Sequence, residues 1–571
     1  MKFDLKVVGA SIMLLMSIYC LNPAAAQDLK LADDITKETI VGPGSIAVRT
    51  EKDILMSFGA TTRMIPTAES DWDFGMNDEV DSYLDFSTLV NLGLLPAEQA
   101  DAIRLNKNFF KDHFNESGWV NDNYIRNETK LHFNALPKDR KWSFYAALEF
   151  DRPLETTAAD SRGGKDSDTS DFGLERLHGT MALPYNLRLH AGWDVWHMDA
   201  FEGAGLVYGD DNPGFWLTGD YETIGFNAGY FKLSENDFQT GVKELSSSRD
   251  DDRDLLAGYV TWEPDPANKL QLFYAFDRIR SVPTTDLLGA LTAGTLGITG
   301  DTPDTNSHHL GGYYIRTLGA FEIFTEGVYQ FGSADDTGLA QDDYDISAYA
   351  LAADVSFQFK GILTGFPFKP HIGIMYTSGD DDPDDDELGG YNGVANAQRF
   401  SQRWGGENTI VGDTNLIFGS LLYGYLPELY GNGTPVFTGG LQNATGFGGG
   451  RGDNPGLTMI SIGLTTAPRE FLIYKTNVNM FRWNEDFQVA DFVNTEAAVL
   501  GLQPLYSDVD AGYAGSEWDN EITLALSKNI FIKGQAAFFF PGSGIEDVTE
   551  ARGAKSDDMA SRIAAELIWN F

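Results

Sequence analysis

Arg562-Ile563-Ala564-Ala565-Glu566-Leu567-Ile568-Trp569-Asn570-Phe571 is the last stretch of the chain, and apolar residues fall on its every second position. In an extended strand Ile563, Ala565, Leu567, Trp569 and Phe571 share one face, while Arg562, Glu566 and Asn570 lie on the other. One face for oil and one for water, ending on an outward aromatic, is what the closing strand of a transmembrane β-barrel needs. The expected fold class is therefore all-β, a transmembrane antiparallel up-and-down barrel.

The other end of the chain fits a protein that leaves the cytoplasm. Lys2 and Lys6 precede an apolar run from Val7 to Leu21, and Ala24-Ala25-Ala26 supplies the small residues of a cleavage site. A signal peptide is expected over residues 1–26, with Gln27 as the mature start. Tyr19 is bulky where lipid attachment to Cys20 would want a small residue, so lipidation is not expected. Removing the signal takes away the only cysteine, which excludes disulfides and thiol chemistry from the mature chain. No later stretch of roughly 20 apolar residues exists, so a spanning helix is not expected. Mean hydropathy is −0.24, as alternation dilutes the lipid-facing residues.

Strands of such barrels run in hairpins with short periplasmic turns and long outer loops. Lys141 to Phe150 alternates cleanly and joins Asn123 to Leu136 through Pro137-Lys138-Asp139-Arg140. The same unit recurs as 171–183 with 187–198, 214–221 with 223–232, 254–263 with 269–280, and 307–318 with 321–332. It continues as 345–360 with 369–379, 458–467 with 470–482, and 516–526 with 530–541. An opening strand over 53–66 and a closing one over 555–571 bring the expectation to about 18 strands with both termini periplasmic. The pair around Tyr221 is the weakest, so 16 strands also fit the pattern. Residues 27–52 lack periodicity and read as a periplasmic extension, leaving 53–571 as the barrel. Its longest outer loops are 67–118 and 380–456. Leu95 to Leu105 reads as a short helix with Pro96 in its first turn, placed either in the pore mouth or over the rim.

The formal charge is −43, which argues against a nucleic-acid partner. Much of it falls in the expected outer loops, at Asp250-Asp251-Asp252, Asp335-Asp336, Asp342-Asp343 and the run from Asp380 to Glu387. A solvated acidic rim explains these residues, and divalent cations shared with lipopolysaccharide are the alternative. For Ca2+ the candidate ligands are Asp380, Asp381, Asp382, Asp384, Asp385 and Asp386, although the glycine and glutamate spacing of an EF-hand is missing.

Basic residues sit in the strands instead. With Leu131 and Phe133 on lipid, Arg126, Glu128, Lys130 and His132 point into the lumen. Leu177 and Met181 outward leave Arg176 and His178 inward; Leu187, Leu189 and Ala191 outward leave Arg188 and His190 inward. Arg126, Lys130, His132, Arg176, His178, Arg188 and His190 thus form a candidate anion track, because rings of Arg or Lys bias a pore toward anions. Bracing is the competing reading, since Glu128, Glu149, Glu322, Glu326 and Glu566 share the inner phase and would pair with them across strands. A metal site from His132, His178 and His190 would need convergence that alternation alone does not supply.

Leu318 to Gly332, Ile346 to Val355 and His371 to Asp380 make an aromatic hairpin closed by Gln330-Phe331-Gly332, an Ala-rich strand with inward Asp354, and a strand leaving through Ser378-Gly379-Asp380. This stretch resembles the alginate-export family of outer-membrane barrels. The resemblance implies an 18-stranded pore with an electropositive lumen passing an anionic exopolysaccharide.

The functional expectation is a channel for small or oligomeric, anionic solutes in the outer membrane of a Gram-negative cell. Its partners would be lipid, lipopolysaccharide and the barrel-assembly machinery, the last through the Phe571 strand. The alternative is surface adhesion or binding through the long loops, where Arg451-Gly452-Asp453 lies. No cofactor is required, and no His-Glu-x-x-His or Gly-x-Ser-x-Gly pattern suggests an enzyme.

Overall fold

The computed structural model describes residues 46–71, 74, 122–153, 173–198, 206–234, 252–279, 304–335, 343–360, 366–382, 385–394, 404, 410, 454–490, 506–551 and 557–571. The signal segment, the expected helix at Leu95 to Leu105, Asp384 and the Arg451-Gly452-Asp453 tripeptide lie outside them.

Eighteen long strands follow one another around the wall. In chain order they are β1 (Ile54–Ser70), β2 (Asp122–Pro137), β3 (Trp142–Pro153), β4 (Gly173–Leu183), β5 (Leu187–His197), β6 (Gly209–Tyr221), β7 (Ile224–Ser234), β8 (Arg253–Asp265) and β9 (Asn268–Ile279). The second half comprises β10 (Asp304–Leu318), β11 (Phe321–Asp335), β12 (Tyr344–Phe357), β13 (Pro367–Thr377), β14 (Leu457–Arg469), β15 (Leu472–Trp483), β16 (Tyr513–Ala525), β17 (Ile530–Pro541) and β18 (Ala560–Asn570). Each pairs antiparallel with the next, and β18 returns to β1 from Thr61↔Asn570 to Ser70↔Ser561. With no open edge, every strand has a partner on both sides.

Side-chain alternation is the physical cause of closure. In β12 buried and exposed positions alternate almost without a break from Tyr344 to Phe357. Leu272, Leu310 and Ile372 are 60%, 56% and 55% exposed, an apolar band that only lipid can cover. In β18 the inward set is Arg562, Ala564, Glu566, Ile568 and Asn570, all buried, whereas Phe571 is exposed. Among the described residues no helix is long and apolar enough to cross a membrane. A closed barrel with this outward band belongs in the bacterial outer membrane.

The weakest hairpin of the sequence reading is fully formed: β6 and β7 pair from Gly214↔Phe231 to Tyr221↔Ile224. Its two-residue turn places Glu222 at φ 53°, and the turn joining β10 to β11 places Gly319 at φ 65°; such short turns need positive φ. The count is 18 and not 16.

Three segments differ from expectation. Strand β1 continues past Pro66 to Ser70, because polar Thr67 and Glu69 face inward and Glu69 accepts a 2.9 Å hydrogen bond from the Tyr124 hydroxyl. Residues Ile46–Arg49, within the segment read as unpatterned, pair with Leu55 to Phe58 on the edge of β1 that β18 leaves free. Helix α1 (Ser543–Ala551) precedes β18 and buries Ile545 and Val548.

Candidate functional site

The lumen has two unlike walls. Along β1 to β5 the inward side chains are charged, paired and partly exposed. Arg126 donates to both oxygens of Asp151, one of them at 2.5 Å. One step deeper, Lys130 lies 2.8 Å from Glu175, 2.9 Å from Glu149 and 3.7 Å from Glu128. Arg63 bridges Glu128, at 2.6 Å, and Glu566. Arg176 lies 3.9 Å from Glu175 and 4.0 Å from Asp194, and His178 Nδ1 lies 3.1 Å from the same Asp194. Apart from Glu566, whose side chain is fully buried, these groups keep between 13% and 40% of their surface exposed, so water reaches them.

A bulge lets β4 contribute two charges at one level. Register shifts opposite Ala147 and Leu148, so Glu175 and Arg176 both fit between outward Leu174 and Leu177, which are 48% and 38% exposed. Strict alternation would send the Glu175 carboxylate into lipid, which destabilises a barrel in proportion to its depth.

Unlike His178, the other two histidines of this wall are held by neutral partners. His132 Nδ1 is 3.0 Å from the Tyr145 hydroxyl. His190 has Thr180 Oγ1 at 2.9 Å on one ring nitrogen and Thr218 Oγ1 at 3.0 Å on the other, while its ring stacks on Trp216 with centroids 5.0 Å apart. His132, His178 and His190 thus each bind a different group. Among the described residues, the carboxylates whose oxygens do converge are Glu128, Glu149 and Asp151, and Lys130 and Arg126 already neutralise them.

The outer acidic run is spread out. Asp380 is buried and accepts the backbone N–H groups of Asp382 at 3.2 Å and Gly389 at 3.4 Å. Asp381, Asp382, Asp385 and Asp386 are exposed. At the same rim, burial together with Asp381 and Asp486 raises the Glu485 carboxyl above the ordinary glutamate value.

The opposite wall, β8 to β16, is covered over much of its length, although near the short turns Lys369 and Glu322 stay 42% and 34% exposed. Chain leaving β13 folds into the lumen and docks on buried polar side chains. Arg253 binds Asp277 at 3.0 and 2.6 Å and donates to the Val394 carbonyl at 2.6 Å. His309 Nε2 donates to the Asn392 carbonyl at 2.9 Å, and Gln330 accepts the Asn392 N–H at 2.9 Å. Farther round, Trp404 Nε1 donates to Asp354 at 2.8 Å, and Asp354 also takes His371 Nδ1 at 2.9 Å. Gly373 makes room for that ring, since a Cβ there would sit 2.5 Å from Trp404 Nε1. Glu517 accepts the Ile410 N–H at 2.5 Å. An unpaired backbone group would be costly at this depth, and each docking residue removes one such cost.

No family model and no curated protein matches this chain, so the alginate-export resemblance has no match behind it; what stands is the porin-like barrel. Solved structures of similar fold include Pseudomonas aeruginosa OccK5 (OpdH), 10% identical with TM-score 0.43, covering 90% of this chain and 98% of that one. Acinetobacter baumannii OccAB2 is 13% identical with TM-score 0.42, at 90% and 98% coverage. A BenF-like porin from Pseudomonas fluorescens Pf-5 is 9% identical with TM-score 0.44, at 90% and 99% coverage. Nothing about solutes or binding residues follows from likeness this remote.

All seven residues of the sequence-derived track lie on the lumen side of β2, β4 and β5. The sequence reading missed Arg63, Asp151, Glu175 and Asp194. Asp151 and Asp194 share the phase of Glu149 and His190, so alternation carried far enough would have found them. Glu175 is hidden by the bulge. For the covered wall there is no local signal, because docking residues alternate like any lumen-facing polar group.

Proposed function

We propose that this protein is a passive outer-membrane channel for small polar solutes, and that the path runs along the inner face of β2 to β5. The observation that carries this reading is the contrast in exposure: on that wall opposed charges stay partly in water, whereas across the bore Arg253 and Asp277 are 3% and 4% exposed beneath inward-folded chain. An 18-stranded barrel is wide enough for a water-filled passage even with one side occupied. Alternating charges let a solute exchange water for polar contacts without meeting a region of one sign. No chemistry beyond diffusion is needed, and a non-enzymatic role follows from this reading.

A continuous cationic conduit for an alginate-like polymer is not favoured, because Arg126, Lys130 and Arg176 are each matched by carboxylates. The outward Tyr274, Tyr329 and Tyr349, each 42% to 48% exposed, would meet the lipid interface. Purified protein in a planar bilayer should give stepwise conductance, and reconstituted vesicles should swell in small sugars or amino acids. Silent bilayers would overturn the proposal.

A further inference from the structure

The geometry points to a divalent-cation site of Ca2+ type beneath the inward-folded chain, formed by Glu517, Asp519 and Asn479. It lies on the covered wall and does not depend on which solute passes. Glu517 and Asp519 share the inward phase of β16, are 0% and 3% exposed, and lie within hydrogen-bonding reach of each other. Asn479 is fully buried too and is the partner of Glu517 across the ladder to β15. Two carboxylates and an amide thus meet away from bulk water.

The hydrogen bonds around them leave a gap of one kind. Asn479 Nδ2 donates to Asp519 Oδ2 at 2.9 Å and to the Trp404 carbonyl at 3.0 Å. Both of its N–H groups are used, which fixes the amide: turned over, it would set an oxygen against two acceptors. Asn479 Oδ1 and Asp519 Oδ1 are both buried, and neither receives a hydrogen bond. An acceptor without a donor is costly at this depth.

Positive charge is missing as well. Other buried acids of the inner wall have a basic partner: Arg253 for Asp277, Arg562 for Glu69 and Arg63 for Glu566. Among the described residues the charged neighbour of Asp519 is another carboxylate, Glu517. Lys475, on the adjacent strand, lies opposite Glu521 and 3.8 Å from its carboxylate.

A proton and a metal ion differ in what they satisfy. One proton shared by Glu517 and Asp519 would leave Asn479 Oδ1 bare, whereas a cation takes lone pairs from all three side chains and offsets both negative charges. Oxygen ligands without thiolate or imidazole select hard ions. Ca2+ accepts an irregular set of oxygens, while Mg2+ demands a near-octahedral one and keeps its water. Glu517 also accepts the Ile410 N–H, and Asn479 holds the Trp404 carbonyl, so the ion fastens the seat on which that chain rests.

The test uses Tb3+, which replaces Ca2+ and luminesces when excited through tryptophan. Full-length protein, refolded in detergent without lipopolysaccharide, should show a Tb3+ phase that Ca2+ displaces and equal Mg2+ does not. Asp519→Asn should weaken it by about tenfold or more, and Asn479→Asp, which adds a third carboxylate, should tighten it by about tenfold. The rim variant Asp381→Asn/Asp382→Asn should leave it unchanged. Heat-modifiable migration checks folding. A wild type without a Ca2+-displaced phase overturns the site and leaves a shared proton in its place. A phase that Asp519→Asn does not move overturns it too and assigns the ion to the acidic rim. Should Asp519→Asn fail to fold, Asn479→Asp decides alone: binding unchanged or weakened contradicts the site.

Discussion

The two walls of this lumen use the same residue types to opposite ends. On β8 to β16, Arg253 with Asp277 and His371 with Asp354 are almost fully buried, at 3% to 9% exposure, and hold inward-folded chain in place. On β1 to β5, Arg126 with Asp151 and Lys130 with its three glutamates keep up to 40% of their surface. Burial is the difference, and it sets how strongly each pair matters to stability. Two buried charges lose hydration that only excellent geometry offsets, so removing one partner leaves a large penalty. Two wetted charges are screened, and removing one alters the field of the pore more than the stability of the fold.

The largest effect is expected on the covered wall. Arg253→Met would strand Asp277 and free the Val394 carbonyl; a loss of about 3–5 kcal/mol is expected in the denaturant midpoint of the refolded barrel. Larger single-channel conductance should accompany it as residues 391–394 lose their anchor. A shift under about 1 kcal/mol would mean that this wall is as wet as the other.

Next comes Gly373→Ala. The new Cβ would collide with Trp404, and a cost of about 1–3 kcal/mol is expected for overpacking, read from the same denaturant curve. Trp404 fluorescence should shift as its ring is displaced.

On the wetted wall Lys130→Met leaves Glu128, Glu149 and Glu175 without their shared cation. The expected loss is about 1 kcal/mol after allowance for screening, and reversal potential should move toward cations. A stability loss as large as that of Arg253→Met would erase the distinction between the walls.

The smallest effect lies at the rim. The raised Glu485 carboxyl means that the folded state holds this proton more tightly than the unfolded chain does. Its contribution is therefore favourable at low pH and lost as pH rises through the folded value. Glu485→Gln should make the pH dependence of the denaturant midpoint slightly flatter on the acidic side of neutrality, with no change in conductance.

Alternation was enough to read the barrel from its sequence. Every hairpin could be placed because a period of two has one meaning when one face is apolar, and β18 showed that period most plainly. Where the rule has a local exception the reading failed. The β4 bulge turned Glu175 inward, and Pro66 masked the last turns of β1. The seven inward positions of the candidate track were found, yet not the charge state of the track as a whole, since partners such as Glu175 and Asp194 come from other strands and depend on register. Docking of Tyr391, Asn392 and Trp404 was out of reach for a further reason: these contacts join residues 50 or more positions apart, such as Trp404 with Asp354 and Asn392 with Gln330.

The claim on which the rest depends is that water fills the side of the bore next to β2 to β5 and not the side next to β8 to β16. Mature protein is expected to contain no cysteine, so Thr180→Cys and Ser461→Cys each introduce a single thiol, one on each wall. In planar bilayers a charged, water-soluble thiol reagent should cut the current through Thr180→Cys and leave Ser461→Cys, buried at 0% exposure, unchanged. Block of Ser461→Cys with Thr180→Cys untouched would contradict the account.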